Sequence, residues 1–124
     1  MKNAKPRKAR RSALTKPMLL PLPTQQVRAL SLETHMALAL LRSGKGRFDQ
    51  MLCLLRAVYM AFFLRGPSEP DADIDLYRQA DDALAECNAR VERGEPWRLL
   101  DDEAATVERV LIEYDAQLAA VPRY

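Results

Sequence analysis

From residue 24 onward, apolar residues recur at steps of three and four, the spacing of helical faces, and they divide the chain into four segments. The densest run is residues 48–64. Phe48, Met51, Leu52, Leu55, Tyr59, Phe62 and Phe63 fall on one side of a helix, and Leu54, Val58 and Met60 widen that side until little polar surface remains. The pattern predicts a helix over about 47–65 that sits at the centre of a domain, touched from several directions. Ahead of it, a first helix runs from Thr24, a suitable N-cap, to about Arg42, where Gly44 and Gly46 end it. Its main stripe is Val27, Leu30, Thr34, Leu38 and Leu41, with Leu32, Met36, Ala39 and Leu40 beside it; Ser31 is an alternative cap that would split it in two.

The run Gly66-Pro67-Ser68-Glu69-Pro70 breaks the chain after the second helix. A third helix is predicted over about 71–93, with Ile74, Tyr77, Ala80, Leu84, Cys87 and Val91 on one face and Gly94 as the stop. Charge covers its other faces, so it belongs on the outside. The fourth helix starts near Asp101 as N-cap, with acids at 102 and 103 suiting the positive end of the helix dipole. Its stripe is Val107, Val110, Leu111, Tyr114, Leu118 and Val121, and Pro122 closes it. Four helices on short loops predict an all-α, four-helix antiparallel bundle over residues 24–124. Eight prolines, four glycines and no alternating apolar-polar runs argue against a sheet.

Residues 1–23 have no helical stripe. They read as a disordered arm, basic and then punctuated by Pro17, Pro21 and Pro23, whose leucines at 19–22 tack it onto the body. A basic start followed by Met18-Leu19-Leu20 opens as a signal peptide does, but the apolar run stops at Pro21. The arm is arginine-rich and acid-free like an organellar transit peptide, yet lacks the amphipathic helical pattern. Arg56 and a length of 17 residues make the second helix a poor membrane span, so the expectation is a cytoplasmic protein.

Net charge hides an asymmetry. Lys2, Lys5, Arg7, Lys8, Arg10, Arg11 and Lys16 give residues 1–16 a charge of +7 with no acid, while 12 cations and 17 acids leave the remainder at −5. Seven cations on a flexible segment suit phosphates, bound without sequence preference and with strong salt dependence. No aromatic residue is interleaved, so base stacking is not suggested. The alternatives are an acidic protein surface or no partner, with the arm folded over its own acidic body.

Candidate chemistry is thin, and no enzyme motif appears. Cys53 and Cys87 each fall at an apolar helical position and read as reduced core thiols; a disulfide or metal site is the other reading, but a single histidine leaves a Cys/His cluster short of ligands. Acids at alternate positions from Glu69 to Asp75 begin a calcium-loop pattern, then fail it with Leu76 where glycine is needed and Asp82 at the twelfth place. The blander account has Asp71, Asp73 and Asp75 capping the third helix. No metal or cofactor is therefore expected. His35 lacks an evident carboxylate or nucleophile and reads as a satisfied, partly buried histidine. Gly44-Lys45-Gly46 is too short for a phosphate-binding loop. A helix-turn-helix fits the turn at 43–46, with Arg42, Lys45 and Arg47 as a basic patch, but the second helix has no polar face for base edges. The pairs Asp81/Asp82, Asp101/Asp102/Glu103 and Glu113/Asp115 read as solvated faces.

The run Leu32-Glu33-Thr34-His35-Met36-Ala37-Leu38 to Gly44, then Phe48-Asp49-Gln50-Met51-Leu52, and later Trp97 and Glu103, resembles a loose group of short proteins from proteobacteria and their phages. Members are often labelled Fis-like transcriptional regulators. That label implies a C-terminal DNA-binding helix-turn-helix, from which the fourth helix departs by its acidic exposed faces and the lack of a turn. What the resemblance implies is an all-helical phage or mobile-element protein. Together these features lead us to expect a non-enzymatic binding protein, regulatory or accessory, associated with nucleic acid through residues 2–16. The rival is a protein-protein module, such as a phage-encoded inhibitor of a host system, acting through its acidic helical surface.

Overall fold

The computed structural model describes residues 24–65 and 72–120, with the side chains of 72 and 73 excepted. Four helices account for nearly all of it: α1 (Thr24–Arg42), α2 (Phe48–Leu64), α3 (Ala72–Glu92) and α4 (Asp101–Ala120). No strand occurs among the described residues. The predicted helices match these to within a residue or so, and α1 is unbroken at Ser31. The arm of residues 1–23, and its expected disorder, lie outside the described residues.

Local chemistry sets each boundary. Both α1 and α3 end in a glycine with positive φ, Gly44 at 80° and Gly94 at 93°, a conformation that costs little without a Cβ. In each case two backbone bonds close the end: Gly44 N–H to the Leu41 carbonyl and Lys45 N–H to Leu40, then Gly94 to Val91 and Glu95 to Arg90. At the start of α2 the Gln50 side chain accepts the Arg47 N–H at 2.8 Å. At α4 the cap is Leu100, not Asp101 as expected. The Leu100 carbonyl accepts the first helical bond, from Ala104, and Glu103 reaches back to its N–H at 2.9 Å. Asp101 is instead the first helical residue.

The helices pack as an antiparallel bundle in which α2 and α4 each touch all three others, while α1 and α3 do not meet. So α2 is central, as its composition suggested, but shares the centre with α4. It is not enclosed, either. Its buried face is Met51, Leu54, Ala57, Val58 and Ala61. Of the stripe expected to form the core, only Met51 is buried; Leu55 and Phe62 are half-buried, and Phe48, Leu52, Tyr59 and Phe63 are exposed, Phe63 at 74%. The cause is a helix apolar on every side: one face, which mixes Met51 and Leu54 with Ala57, Val58 and Ala61, is buried, and most of the aromatic side chains are left outside. The second stripe of α1 is likewise outside, with Leu32 and Met36 exposed. The stripes of α3 and α4 are buried or half-buried as expected, except Val121, which lies beyond the described residues.

One pole of the bundle is latched. There the Leu99 N–H donates to the Leu41 carbonyl at 2.8 Å, and Phe48 meets Trp97 edge-on with centroids 6.3 Å apart. Gly46 is pressed against Leu41, whose side chain a Cβ would overlap. The opposite pole holds the start of α1, the end of α2, the start of α3 and the end of α4.

Candidate functional site

Counting charge by hairpin shows a polarised body. Residues 24–65 carry six cations and two acids, whereas residues 72–120 carry five cations and thirteen acids. Because α1 and α3 stand on opposite flanks of the central pair, this becomes a spatial separation. Arg28, Arg42, Lys45, Arg47 and Arg56 are exposed on the α1–α2 side, and none is in an ion pair with another described residue. Asp75, Asp82, Glu86, Glu92, Asp101, Asp102 and Glu108 are exposed on the α3–α4 side. Only Asp75 among them is in an ion pair with a described residue, a 4.0 Å contact to Arg78. The sequence reading treated the body as uniformly acidic and missed this; tallying charge per predicted hairpin would have found it.

The cationic residues singled out first, Lys2, Lys5, Arg7, Lys8, Arg10, Arg11 and Lys16, lie outside the described residues. They join the body through α1, the basic side. The turn at 43–47 does put Arg42, Lys45 and Arg47 together on one exposed pole. The helix that follows nevertheless turns Leu52, Tyr59, Met60 and Phe63 outward around Arg56, which leaves no polar face to read base edges.

His35 does have a carboxylate partner. Its Nε2 lies 2.9 Å from Asp115 Oδ2, α1 to α4, with both side chains about one-third exposed (33% and 31%). The histidine is satisfied and partly buried, as expected, but the partner is 80 residues away in sequence. Asp115 read from sequence as part of a solvated face is instead half-buried, with Oδ1 enclosed and unpartnered. No hydroxyl or thiol of the described residues is hydrogen-bonded to the pair.

The thiols are unsuited to nucleophilic work. Cys53 is half-buried between α1 and α2, and Cys87 is buried with its Sγ donating to the Arg98 carbonyl at 3.4 Å. Burial is the main cause raising both above the ordinary thiol range; Glu33 adds to it for Cys53, and Arg90 opposes it for Cys87. Such thiols stay protonated near neutral pH.

The most elaborate polar cluster holds the latched pole together. Arg90 spans to Glu103 with two bonds, 3.0 Å and 2.6 Å, and its Nη2 also donates to the Arg98 carbonyl. The side chains are only 15% and 13% exposed. Glu103 also accepts the Leu100 N–H, so all its groups are engaged in fixing the α3–α4 connection. Sequence placed Glu103 on a solvated face; its role as a buried strut depends on a partner 13 residues earlier on another helix.

From Ala72 on, the calcium-loop pattern falls on a helix, with Leu76 in the core, while Glu69 and Asp71 lie outside the described residues. Among the described residues no three His, Cys, Asp or Glu side chains converge as metal ligands, and no helix is long and apolar enough to cross a membrane. Grooves run along both flanks of α2. One, beside α1, is lined by Met36, Leu40, Asp49 and Cys53; the other, beside α3, by Val58, Tyr59, Phe62, Ile74, Tyr77 and Asp81. No family model matches the chain, and neither curated proteins nor solved structures offered a significant match.

Proposed function

We propose that this protein is a non-enzymatic binding protein that engages nucleic acid, or another polyanion, through Lys2, Lys5, Arg7, Lys8, Arg10, Arg11 and Lys16. The observation that carries this reading is the polarity of the body. The exposed cations of α1 and α2 lie on the flank to which the arm is joined, from Arg28 near its point of attachment to Arg42, Lys45 and Arg47 at the other pole, while the acids gather on the far side. A polyanion held by the arm is thus drawn to one flank and repelled from the other, an electrostatic arrangement that orients without reading sequence. That no hydroxyl or thiol of the described residues bonds to His35 or Asp115, and that the thiols stay protonated, favours binding over catalysis. The resemblance to short proteobacterial and phage proteins is compatible with an accessory or regulatory part.

The test is a salt titration of binding to a mixed-sequence DNA duplex. The wild-type chain should show a steep dependence, and replacing Arg7, Lys8, Arg10 and Arg11 with glutamine should flatten it. Unchanged affinity at low salt in that variant would overturn the reading. A second reading is favoured by the exposed acids of α3 and α4: a protein partner with a basic surface docks there. It predicts that Asp82→Lys with Glu108→Lys abolishes partner binding while the glutamine changes do little.

A further inference from the structure

The groove between α2 and α3 is an open apolar trough of about 310 Å³. Val58, Phe62, Ile74 and Tyr77 form its walls, and the Tyr59 hydroxyl, bonded to Asp81 at 3.0 Å, forms its rim. Leading to it across the outer face of α2 is a trail of exposed side chains, Met60, Phe63 and Tyr59. Their helical positions step round α2 from its α1 side to its α3 side. The trail starts where α1 starts, because α1 and α2 are antiparallel and Thr24 stands at the pole that holds Met60 and Phe63.

We infer that this trail and groove are the docking site of the chain's own segment Met18-Leu19-Leu20-Pro21-Leu22. Reach permits it. Residues 18–23 extended span up to about 20 Å, and crossing one helix diameter takes about 10–12 Å. Composition selects it. The neighbouring connection 66–71 is Gly-Pro-Ser-Glu-Pro-Asp and brings no aliphatic or aromatic side chain except its prolines, whereas residues 18–22 bring four large aliphatic ones. Prolines at 17, 21 and 23 keep such a segment extended and limit the entropy lost on docking. Tethering at Thr24 raises the effective concentration to the millimolar range, so a modest apolar contact suffices. The charge balance agrees as well: a segment seated between α2 and α3 delivers the cations of residues 2–16 beside Asp75, Asp81 and Asp82, three acids against the single cation Arg78 on that face. The docking does not require that the arm bind nucleic acid, and where it does, drawing the arm toward the basic flank opposes docking. The polyanion then competes with the acids of α3 for the same cations.

The experiment is solution NMR on the full chain at low concentration, with a mixed sample of labelled and unlabelled chains for isotope filtering. Expected are Overhauser contacts from the methyls of Leu19, Leu20 and Leu22 to the rings of Tyr59, Phe62, Phe63 and Tyr77, within one chain. In the full-length variant Leu19→Ser, Leu20→Ser, Leu22→Ser these contacts vanish and the Ile74 methyl resonances shift, while the Leu54 and Leu111 methyl resonances stay in place. Absence of the contacts in the wild-type chain would overturn the inference. So would contacts seen only between chains, which assign the face to a second copy, or ring contacts from Val121 and Tyr124 in place of the leucines.

Discussion

Leu54 and Leu55 are neighbours on α2, yet a charge would meet different surroundings at each. Leu54 has no exposed surface, while Leu55 is half-buried at the edge of the core. Leu54→Asp should therefore cost several kcal/mol, about the whole stability of a small domain, and the variant should lack a cooperative thermal transition. Leu55→Asp should retain the transition at a lower Tm, because its carboxylate can reach water. Equal effects in calorimetry would show that the two sites are not differently enclosed. Glu103 poses a sharper case. Glu103→Gln leaves the Arg90 guanidinium largely buried without its counter-charge and weakens the Leu100 cap, for a loss of roughly 3 kcal/mol in urea denaturation. Arg90→Met added to it should recover part of that loss, since the stranded charge is then gone. The polar pairs also show where sequence reading stops. That His35 would be satisfied followed from its half-apolar surroundings; that Asp115 satisfies it depends on the register of α1 against α4, which no local pattern encodes.

Among the elements, the extent of each helix was legible because glycines, prolines and helical periodicity act over a few residues. The faces of α3 and α4 were legible too, since charge marks their outer sides. The face of α2 was not. With apolar side chains all round, periodicity has no contrast to work on, and Ala57 and Ala61, the residues that let α4 approach, carry little weight in a hydrophobic count. The inner face combines these two alanines with Met51, Leu54 and Val58, a set that a hydrophobic count does not rank above the aromatic side left outside. The loops between elements carry comparable steric demands. At Gly46 an added methyl would overlap the fully buried Leu41 side chain and stand 3.2 Å from its Cα, so Gly46→Ala should destabilise by about 2 kcal/mol. At Gly94 nothing lies within 4 Å, and only the positive φ resists a side chain, at about 1 kcal/mol. Parallel denaturant titrations of the two alanine variants check the order; a larger loss at Gly94 would contradict the tight contact at the latched pole.

For the whole molecule, the polarised body changes what the DNA titration should show. Substituting Arg7, Lys8, Arg10 and Arg11 removes up to four phosphate contacts, and the slope of the logarithm of binding against the logarithm of salt should fall by up to about 0.9 for each. A body of uniform negative charge would add nothing further. With Arg42, Lys45 and Arg47 exposed on one pole and in no ion pair with a described residue, their replacement by glutamine should flatten the slope again, and a null result there would confine binding to the arm. The same separation bears on how the chain reaches its fold. Residues 24–65 and 72–120 are two helical hairpins of opposite sign, +4 and −8, each made of neighbours in sequence and able to form by local contacts. Their union resembles the encounter of two oppositely charged proteins, hastened by attraction over distances where no side chains yet touch. Stopped-flow refolding should accordingly slow as sodium chloride is raised from low to physiological levels, with unfolding rates nearly constant. The charge that divides the surface into two flanks would thus also act as a timing device, bringing the halves together before the core can.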